Sequence, residues 1–344
     1  FMVAFVLFAC AAAPVLQGMV RGILRLCFLV EGATNAFDVL FLSMIADITP
    51  VPDRPAAYTA YFTSGAVGGV IAQALSVGIL HQQLTHYSLV WAASAAVLGG
   101  TAAYAAAALP ETLVGAAQAA PVWKVALGPF ALVREEVFLR RWLLAVGLTA
   151  LASGLSAVLA SWTIVHYGWA QGDWQAFGSL NAVVRLLSVT FLAPMANQLG
   201  PPKVILLGLM GTTVSSCCRL LATSSPVLLV GPDWADQVFA FAGPATAAFL
   251  SAQFGADRQA RVNAVKHFTS NMCSSLSMLA FTSPLVFAPQ DPASAARPFA
   301  FAFVFVLLGS LQQASLVVPM LHHRDGDESG AELAEVGETK PIFP

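Results

Sequence analysis

Long apolar runs are the feature that most constrains how this chain folds. Hydrophobic residues make up 58% of its 344 residues and charged residues only 10%, whereas ordinary soluble domains carry about 25% charged residues. A helix that crosses the hydrocarbon core of a bilayer needs about 20 apolar residues, and its backbone must form its hydrogen bonds within the segment. The sequence therefore predicts an all-α, multi-pass integral membrane protein. It excludes a soluble enzyme, a disulfide scaffold and a nucleic-acid binder.

Ten apolar stretches can be placed, separated by proline-rich or charged connectors. They cover roughly residues 1–17, 23–46, 58–80, 88–109, 142–165, 174–198, 203–222, 226–252, 264–288 and 299–320. Residues 114–141 contain more charges than any other connector between spans and form the longest connector. Residues 321–344 are polar and acidic, which predicts a solvated tail.

The distribution of Lys and Arg predicts the orientation in the membrane. Most of the sixteen basic residues belong to the side that holds Arg54, the 114–141 connector and the tail. Cytoplasmic loops carry an excess of positive charge, so the connector and the C-terminus are expected in the cytoplasm.

Short motifs recur in the same order in the two halves of the sequence. Phe41-Leu42-Ser43, Asp53-Arg54 and Phe62-Thr63-Ser64 reappear as Phe249-Leu250-Ser251, Asp257-Arg258 and Phe268-Thr269-Ser270, at offsets of 204 to 208 residues. Parallel duplicated halves are an architecture of transporters, with the substrate bound between them. The Asp-Arg loop follows the fourth span of the second half but the second visible span of the first. The repeat therefore predicts ten helices present of an expected twelve, with two spans upstream of Phe1.

The same motifs resemble one transporter family. The segment 45–49 (Ile-Ala-Asp-Ile-Thr), followed by Asp53-Arg54, resembles the loop between helices 4 and 5 of major facilitator superfamily transporters, and is similar to the tetracycline-resistance and hippocampus-abundant-transcript types. The segment 109–113 (Leu-Pro-Glu-Thr-Leu) resembles the element after helix 6, and 256–263 resembles the helix 10–11 loop. Two departures are visible: the glycine- and arginine-rich loop between helices 2 and 3 is not in this sequence, and Ala72-Gln73 stands where drug/proton antiporters carry Gly-Pro.

The resemblance implies a domain layout and a function. Residues 1–113 would form a partial N-terminal half (helices 3–6), 114–141 a cytoplasmic connector, 142–320 a six-helix C-terminal half and 321–344 an acidic cytoplasmic tail. It implies a secondary active transporter that moves a small organic solute by alternating access, driven by a proton or a solute gradient, and proton coupling is the expected form. It implies no enzymatic activity.

Three polar residues share one side of the second span. Glu31, Asn35 and Asp38 are spaced i, i+4 and i+7, which places them on one helix face. A charged side chain at the bilayer centre costs about 2.5–3.5 kcal/mol on insertion scales. Two acids on one face therefore need a wet cavity, where they would line a substrate or proton pathway, or a structural partner on a neighbouring helix.

Arg185 lies near the centre of the 174–198 span, with Asn181 four residues earlier on the same face. Arginine does not lose its proton in proteins, so this side chain must meet a carboxylate, an anionic substrate or water. It is either an anchor for a carboxylate-bearing substrate or one partner of a permanent ion pair in the C-terminal half.

Two further groups of residues are candidates for transport. Asp233 and Asp236, in the 226–252 span, are either cavity acids of the second half or residues of the outer vestibule. The resemblance gives gating roles to Asp47, Arg54, Asp257 and Arg258, and the alternative is ordinary charge at helix ends.

Gly65, Gly68 and Gly69 make a small-residue face in the 58–80 span. Close helix packing is the simpler explanation, and sliding of helices during transport is the other.

The overall prediction is a transporter whose partners are a small solute, protons and the lipid bilayer, with no nucleic acid. No nucleotide-binding loop is present, and the five cysteines show no metal-ligand spacing with histidine. We therefore expect no cofactor and no metal. The alternative is a non-transporting receptor or scaffold that is a truncated relative of a transporter.

Overall fold

The protein is helical throughout the part of the chain that the structure describes. The structure, a computed structural model, describes residues 37–82, 96–97, 99–100, 103–104, 107, 122–283, 285–288 and 294–327. All regular elements in these ranges are helices, as the apolar runs predict.

In the N-terminal half, the bounds of two α-helices are defined. Helix α1 spans Phe37–Ile48 and α2 spans Arg54–Gln82, with a single 3-10 turn at Val51–Asp53 between them. Pro50 and Pro52 cannot continue an α-helix, whereas Pro55 is tolerated in the first turn of α2 because its missing N–H needs no partner there. The prolines therefore fix where one helix ends and the next begins.

The rest of the described chain forms ten further helices. These are α3 (Val122–Glu135), α4 (Val137–Ala152), α5 (Gly154–Tyr167), α6 (Gln171–Leu187), α7 (Ala193–Asn197), α8 (Pro201–Cys218), α9 (Val227–Val238), α10 (Ala242–Ala252), α11 (Ala256–Phe281) and α12 (Arg297–Asp327). A π-helical segment, Ser188–Leu192, joins α6 to α7, and 3-10 turns flank α9 at Arg219–Ser224 and Phe239–Phe241.

Four stretches within the described residues are long and apolar enough to cross a membrane. They are Val137–Tyr167, Gly172–Asn197, Pro201–Ser224 and Arg297–Leu321. Each contains or closely overlaps a span predicted from the sequence. The predicted span 1–17 and most of 88–109 lie outside the described residues.

Several predicted boundaries differ from the structure. The connector 114–141 contains α3, and the first predicted span of the C-terminal half begins earlier, at Val137. The predicted span 226–252 is divided into α9 and α10 by the 3-10 turn at Phe239–Phe241. Helix α12 continues to Asp327, so the beginning of the predicted polar tail is helical. Hydropathy marks the apolar part of a helix, and a helix extends beyond that part when its end is solvated.

Two apolar clusters hold the C-terminal half together. In the first, Trp142 and Leu139 of α4 pack with Ile205 of α8, Phe249 of α10 and Val317 of α12. The second joins α5, α9, α11 and α12 through residues that include Trp162, Leu229, Phe281 and Phe299. Both clusters consist of buried side chains from several helices, so the described helices of this half pack as one bundle.

The N-terminal helices pack against the C-terminal bundle along two lines. Helix α1 contacts α11, and α2 contacts both α6 and α10. Helix α11 carries Asn263, Lys266 and His267 among many other polar residues, although it is 26 residues long and packs on α1, α4 and α5. A polar helix between two halves requires polar partners or an aqueous space, and the structure provides both.

Candidate functional site

A cavity of about 580 Å³ lies between the two halves. Helices α1 and α2 form one wall, and α6, α9 and α11 form the other. Its lining is Leu42, Tyr61, Phe62, Gly65, Ala66, Gly69, Gln73, Asn181, Ala182, Arg185, Gln237, Lys266 and His267. This volume is within the range of roughly 300–1,000 Å³ that is typical of small-molecule sites. We call this space the central cavity.

Arg185 and Asn181 both line the central cavity from α6, on the helix face that the sequence predicts. Arg185 is exposed to that space, and it forms no ion pair with any residue that the structure describes. Within the described chain, the permanent ion pair that the sequence left open is therefore not seen. The guanidinium is available to a ligand or to water.

Lys266 and His267 of α11 also line the central cavity, and sequence analysis did not select them. Hydropathy predicts that this span begins at residue 264, which would place both residues at a solvated helix end. The structure starts α11 at Ala256, which puts them more than two turns inside the helix. The charged residues at 257–261 concealed this, because a hydropathy window reads them as loop.

The glycines of α2 leave space in the cavity and do not form a close contact between helices. A methyl group built on Gly65, Gly68 or Gly69 meets no described atom within 4 Å, and two of them belong to the lining. Close packing at this face was the simpler expectation, and it is not seen among the described residues. Close approaches occur instead at Gly243 of α10, which lies against Phe62, and at Gly178 of α6, which lies against Gln73.

Asp233 and Asp236 form an ionic cluster with Arg219 at the end of the cavity nearest to Asn181. Arg219 Nη2 lies 2.8 Å from Asp233 Oδ1 and 3.2 Å from Asp236 Oδ2. The Asn181 side-chain amide donates to Asp233 Oδ2 at 2.6 Å, and its own Oδ1 is buried with no hydrogen-bond partner in the described chain. Neither acid lines the central cavity. Asn181 instead connects the cavity to this cluster.

Arg54 joins the two halves at the opposite end. Its side chain is 7% exposed. It donates to two carbonyl oxygens of its own half, those of Ala46 (2.8 Å) and Thr49 (3.2 Å), and to the Ser251 carbonyl of α10 (2.8 Å). All three acceptors lie at C-terminal helix ends, where unpaired carbonyls and the helix dipole favour a cation. This buried charge is therefore well satisfied.

In the C-terminal half, Gln259 makes two hydrogen bonds that correspond to the two bonds of Arg54 within its own half. Its amide donates to the Ser251 carbonyl (2.6 Å) and the Phe254 carbonyl (2.7 Å). Ala46, Thr49 and Arg54 correspond to Ser251, Phe254 and Gln259 at a common offset of 205 residues. The structural counterpart of Arg54 is thus Gln259, and not Arg258 as the Asp-Arg motifs suggest.

Two hydrogen bonds and an apolar layer accompany the Arg54 contact. Leu42, Tyr58 and Ala248 pack together from α1, α2 and α10. Asn197 Nδ2 donates to Thr59 Oγ1 at 3.2 Å, and Asn263 Nδ2 to Ser43 Oγ at 3.4 Å. Sequence analysis did not select these polar residues, although Ser43 and Ser251 are the serines of the repeated Phe-Leu-Ser triplets.

Along α2, the positions follow one another in a simple order. Arg54 comes first, Tyr58 of the apolar layer follows, and the cavity-lining residues begin at Tyr61. The central cavity therefore lies beyond a contact layer that joins the halves at the side of the α1–α2 loop. We call this layer the Arg54 layer.

The remaining predicted gate residues lie in different surroundings. Asp47 is exposed; partial desolvation at the end of α1 raises its pKa, and the charge of Arg54 opposes that rise. Arg258 forms a half-exposed ion pair of 2.7 Å with Glu136, at the start of α4, so this contact stays on the C-terminal side. Asp257 is in the first turn of α11, and its side chain lies outside the described part of the structure.

Three predicted pathway positions also fall outside the description. Glu31 and Asn35 precede the first described residue, and Asp38 lies in α1 without a described side chain. No cluster of His, Cys, Asp and Glu that could hold a metal occurs among the described residues.

An α-helical bundle with two halves, membrane-spanning segments and a polar cavity between the halves defines a membrane carrier. The sequence model of the major facilitator superfamily matches residues 1–278. The chain therefore belongs to the major facilitator superfamily, and it is a membrane transporter rather than an enzyme.

Among solved structures that are similar to the chain, the first below supports this fold. The human organic anion transporter MFSD10 (TETRAN) is 17% identical, with a TM-score of 0.64 over 90% of this chain and 75% of that one. A bacterial homologue of the iron transporter ferroportin, in an outward-facing state, is 13% identical with a TM-score of 0.46 over 92% of this chain and 98% of that one. No curated protein sequence matches the chain significantly.

Proposed function

We propose that the protein transports a small organic anion through the central cavity by alternating access, coupled to protons. The observation that carries this proposal is the charge of the cavity lining. Arg185 and Lys266 contribute positive charge, and the described lining contains no Asp or Glu. A guanidinium binds a carboxylate through two parallel hydrogen bonds, which gives orientation as well as affinity.

The rest of the lining suits an organic molecule. Tyr61 and Phe62 offer aromatic surface, whereas Gln73, Asn181 and Gln237 offer hydrogen bonds. Pockets for small molecules combine an apolar wall with a few polar groups that fix orientation. The human protein of similar fold is named as an organic anion transporter, which is the same substrate class.

The Arg54 layer supports the alternating-access part of the proposal. Among the described residues, its contacts between halves include two side-chain hydrogen bonds, the Arg54 to Ser251 bond and one small apolar cluster. Such a layer can separate at modest cost because water can replace each of its bonds. We expect it at the cytoplasmic side, together with the 114–141 connector and the C-terminus, and Asp47, Asp257 and Arg258 at its rim.

The cluster of Arg219, Asp233 and Asp236 supports proton coupling. One cation faces two carboxylates, so the ionised cluster carries a net negative charge. An anion in the cavity, one hydrogen-bonded residue away through Asn181, favours protonation of this cluster by simple Coulomb interaction. Anion binding and proton binding then strengthen each other, as thermodynamic linkage requires. Glu31, Asn35 and Asp38 remain candidates for the same pathway on the N-terminal side.

The substrate class is tested by uptake and efflux in vesicles that contain the full-length protein. The test compares pairs of small aromatic compounds of similar size, in which one member carries a carboxylate and the other carries a primary amide at the same position. We expect uptake of the carboxylate and little uptake of the amide. Equal uptake of both members of each pair contradicts the proposal for an anion.

Proton coupling is tested by the pH dependence of carboxylate uptake. Asp233→Asn is expected to remove most of that dependence, because the remaining pair of one Arg and one Asp has no net negative charge for a proton to neutralise. Asp173→Asn is the matched control, since Asp173 is an exposed acid that caps the start of α6 by accepting from the Ala170 N–H. Retention of the full pH dependence in Asp233→Asn shifts the coupling role away from this cluster.

A further inference from the structure

A close contact between the two halves lies beside the central cavity, between Phe62 of α2 and Gly243 of α10. A methyl group built on Gly243 would lie 3.2 Å from Cε1, 3.5 Å from Cδ1 and 3.8 Å from Cζ of the Phe62 ring. Glycine is a poor helix former, and here the ring occupies the space that a larger residue would need. One edge of the Phe62 ring therefore lies directly against the backbone of α10.

The other surroundings of Phe62 place it at one end of the cavity. Its side chain is part of the cavity lining. It also packs against the apolar cluster of Leu42, Tyr58 and Ala248, which belongs to the Arg54 layer. Phe62 therefore lies between that layer and the open space of the cavity. We call its ring the end wall.

Two contacts define how α2 pairs with the helix that carries Arg185. The Gln73 side-chain Oε1, from α2, lies 3.7 Å from the position of a methyl group built on Gly178 in α6. Farther along the pair, Asn197 of α7 donates to Thr59 of α2 at 3.2 Å. Residue numbers fall along α2 as they rise along α6 and α7, so the two lie side by side and antiparallel.

This pairing sets the distance between Arg185 and the end wall. Arg185 follows Gly178 by seven residues, and Ala66 precedes Gln73 by seven residues, so the two are at the same level. Ala66 is small and lines the cavity. Phe62 is four residues from Ala66, which corresponds to about 6 Å along the helix. A carboxylate bound to the guanidinium therefore has space for a short apolar group before it meets the ring.

We propose that Phe62, held in place by its contact with Gly243, limits the length of the apolar end of the transported anion. The inference rests on the proposed function for the substrate and on the contact between the halves for the limit. Phe62 meets the apolar end, and Gly243 is a positioning residue that acts through Phe62. A smaller side chain at position 62 lengthens the cavity, whereas a side chain at position 243 moves the ring into it and shortens it.

The first test compares the uptake of phenylacetate, 3-phenylpropionate and 4-phenylbutyrate into vesicles that contain the full-length protein. A single methylene group in an apolar pocket changes selectivity about 10- to 200-fold. We expect Phe62→Ala to raise the uptake of 4-phenylbutyrate relative to phenylacetate about tenfold. Gly243→Ala moves the ring by less than one bond length, so we expect it to lower the same ratio about threefold.

A double variant and a control show whether Gly243 acts through the ring. In the double variant Phe62→Ala/Gly243→Ala, the uptake ratio should equal that of Phe62→Ala alone, because no ring remains to be displaced. Gly172→Ala is the matched control. Gly172, like Gly243, is the second residue of its helix, but a methyl group there meets no described atom within 4 Å. It should leave the ratio unchanged, and the thermal unfolding midpoint (Tm) of each variant verifies that the protein is folded.

The second test measures the length of the cavity without transport. Gly65→Cys, in a protein without its other cysteines, places a thiol three residues from Phe62, which is about one helical turn. The rate of its labelling by benzyl methanethiosulfonate is divided by the rate for the methyl reagent. Phe62→Ala should raise this labelling ratio, and Gly243→Ala should lower it.

Two results overturn the inference. One is an uptake ratio and a labelling ratio that are the same in the wild type, Phe62→Ala and Gly243→Ala. The other is a full effect of Gly243→Ala in the double variant, which shows that position 243 does not act through the ring. If none of the three carboxylates enters the vesicles, the proposed function is contradicted, and the labelling ratio still decides whether Phe62 and Gly243 limit the cavity.

Discussion

Two arginines lie between the halves of this transporter, and their surroundings differ. Arg54 is 7% exposed and donates to three backbone carbonyls at the ends of two helices. Arg185 is exposed to the central cavity and has no ion pair within the described chain. A cation whose three nitrogens all donate to backbone carbonyls stabilises one conformation, whereas a cation whose donors face a cavity can bind a ligand. The same side chain therefore serves different purposes according to what its N–H groups meet.

The comparison between Arg54 and Gln259 explains why the first position needs an arginine. Both residues cap the end of the preceding helix through two carbonyls at corresponding positions. A glutamine amide has two N–H donors, and Gln259 uses its amide nitrogen for both local carbonyls. The guanidinium has five, so Arg54 can complete the same cap and still reach Ser251 in the other half.

The largest expected effect comes from Arg185. Hydrogen bonds to a charged group contribute about 1.5–3 kcal/mol, so Arg185→Gln should lower carboxylate uptake about 10–100-fold by this measure. The Tm should stay close to that of the wild type, because the side chain is exposed and not part of the packed bundle. Arg185→Lys, which keeps the charge but loses the planar fork, should be intermediate. Unchanged uptake in Arg185→Gln would break the distinction between the two arginines.

Arg54→Gln gives the N-terminal half the residue type that the C-terminal half carries at the corresponding position, Gln259. We expect this substitution to open the Arg54 layer. The local cap can persist, but the bond to Ser251 is lost. We expect labelling of a cysteine at Gly65, in a protein without its other cysteines, to become about tenfold faster from the side of the α1–α2 loop. Position 65 has space for the new side chain.

The matched control for this labelling experiment is Arg258→Gln. Arg258 belongs to the corresponding Asp-Arg motif, but its ion pair with Glu136 stays on the C-terminal side. The labelling rate should not change in this variant. A similar acceleration in both variants would show that charge loss, and not the contact between halves, controls access.

Gln259→Leu tests the corresponding cap in the C-terminal half. It removes a buried cap but leaves Arg54 on the Ser251 carbonyl, so we expect a loss of about 1–3 kcal/mol in the free energy of unfolding. Denaturation monitored by intrinsic fluorescence measures this loss. Labelling of the cysteine at position 65 should remain slow; fast labelling would mean that Gln259 also holds the halves together.

The smallest effect is expected at Asp47. Partial desolvation raises the pKa of this carboxyl, so its ionised form is slightly disfavoured in the folded protein. Asp47→Asn should therefore leave Tm at pH 7 unchanged or slightly higher, and the difference should shrink as the pH falls towards the carboxyl pKa. A clear decrease in Tm at pH 7 would instead indicate that the negative charge of Asp47 supports the Arg54 layer.

Much of the architecture could be predicted from local sequence. The apolar runs give helices, and the prolines at 50, 52 and 55 place the end of α1 and the start of α2. Arg185 and Asn181 could be selected because a charge in an apolar run needs a polar environment, and both line the central cavity. Their spacing on one helix face is a property of the sequence alone.

Lys266 and the Arg54 layer could not be obtained in that way. Lys266 follows a run of charged residues, and only the packing of α11 between the halves brings it to the lining of the central cavity. The match of Arg54 with Gln259 is not visible in the motifs because the two positions share the geometry of a cap, which an arginine and a glutamine can both form.

The sequence by itself determined that this chain enters a membrane as helices and that a few charges must find a polar environment there. Both follow from the cost of placing unpaired polar groups in hydrocarbon, which is a local property. Only the tertiary structure decided which charge is bound by protein carbonyls and which borders a cavity. That outcome depends on contacts between residues as far apart as Arg54 and Ser251, and such contacts exist only after the two halves have packed.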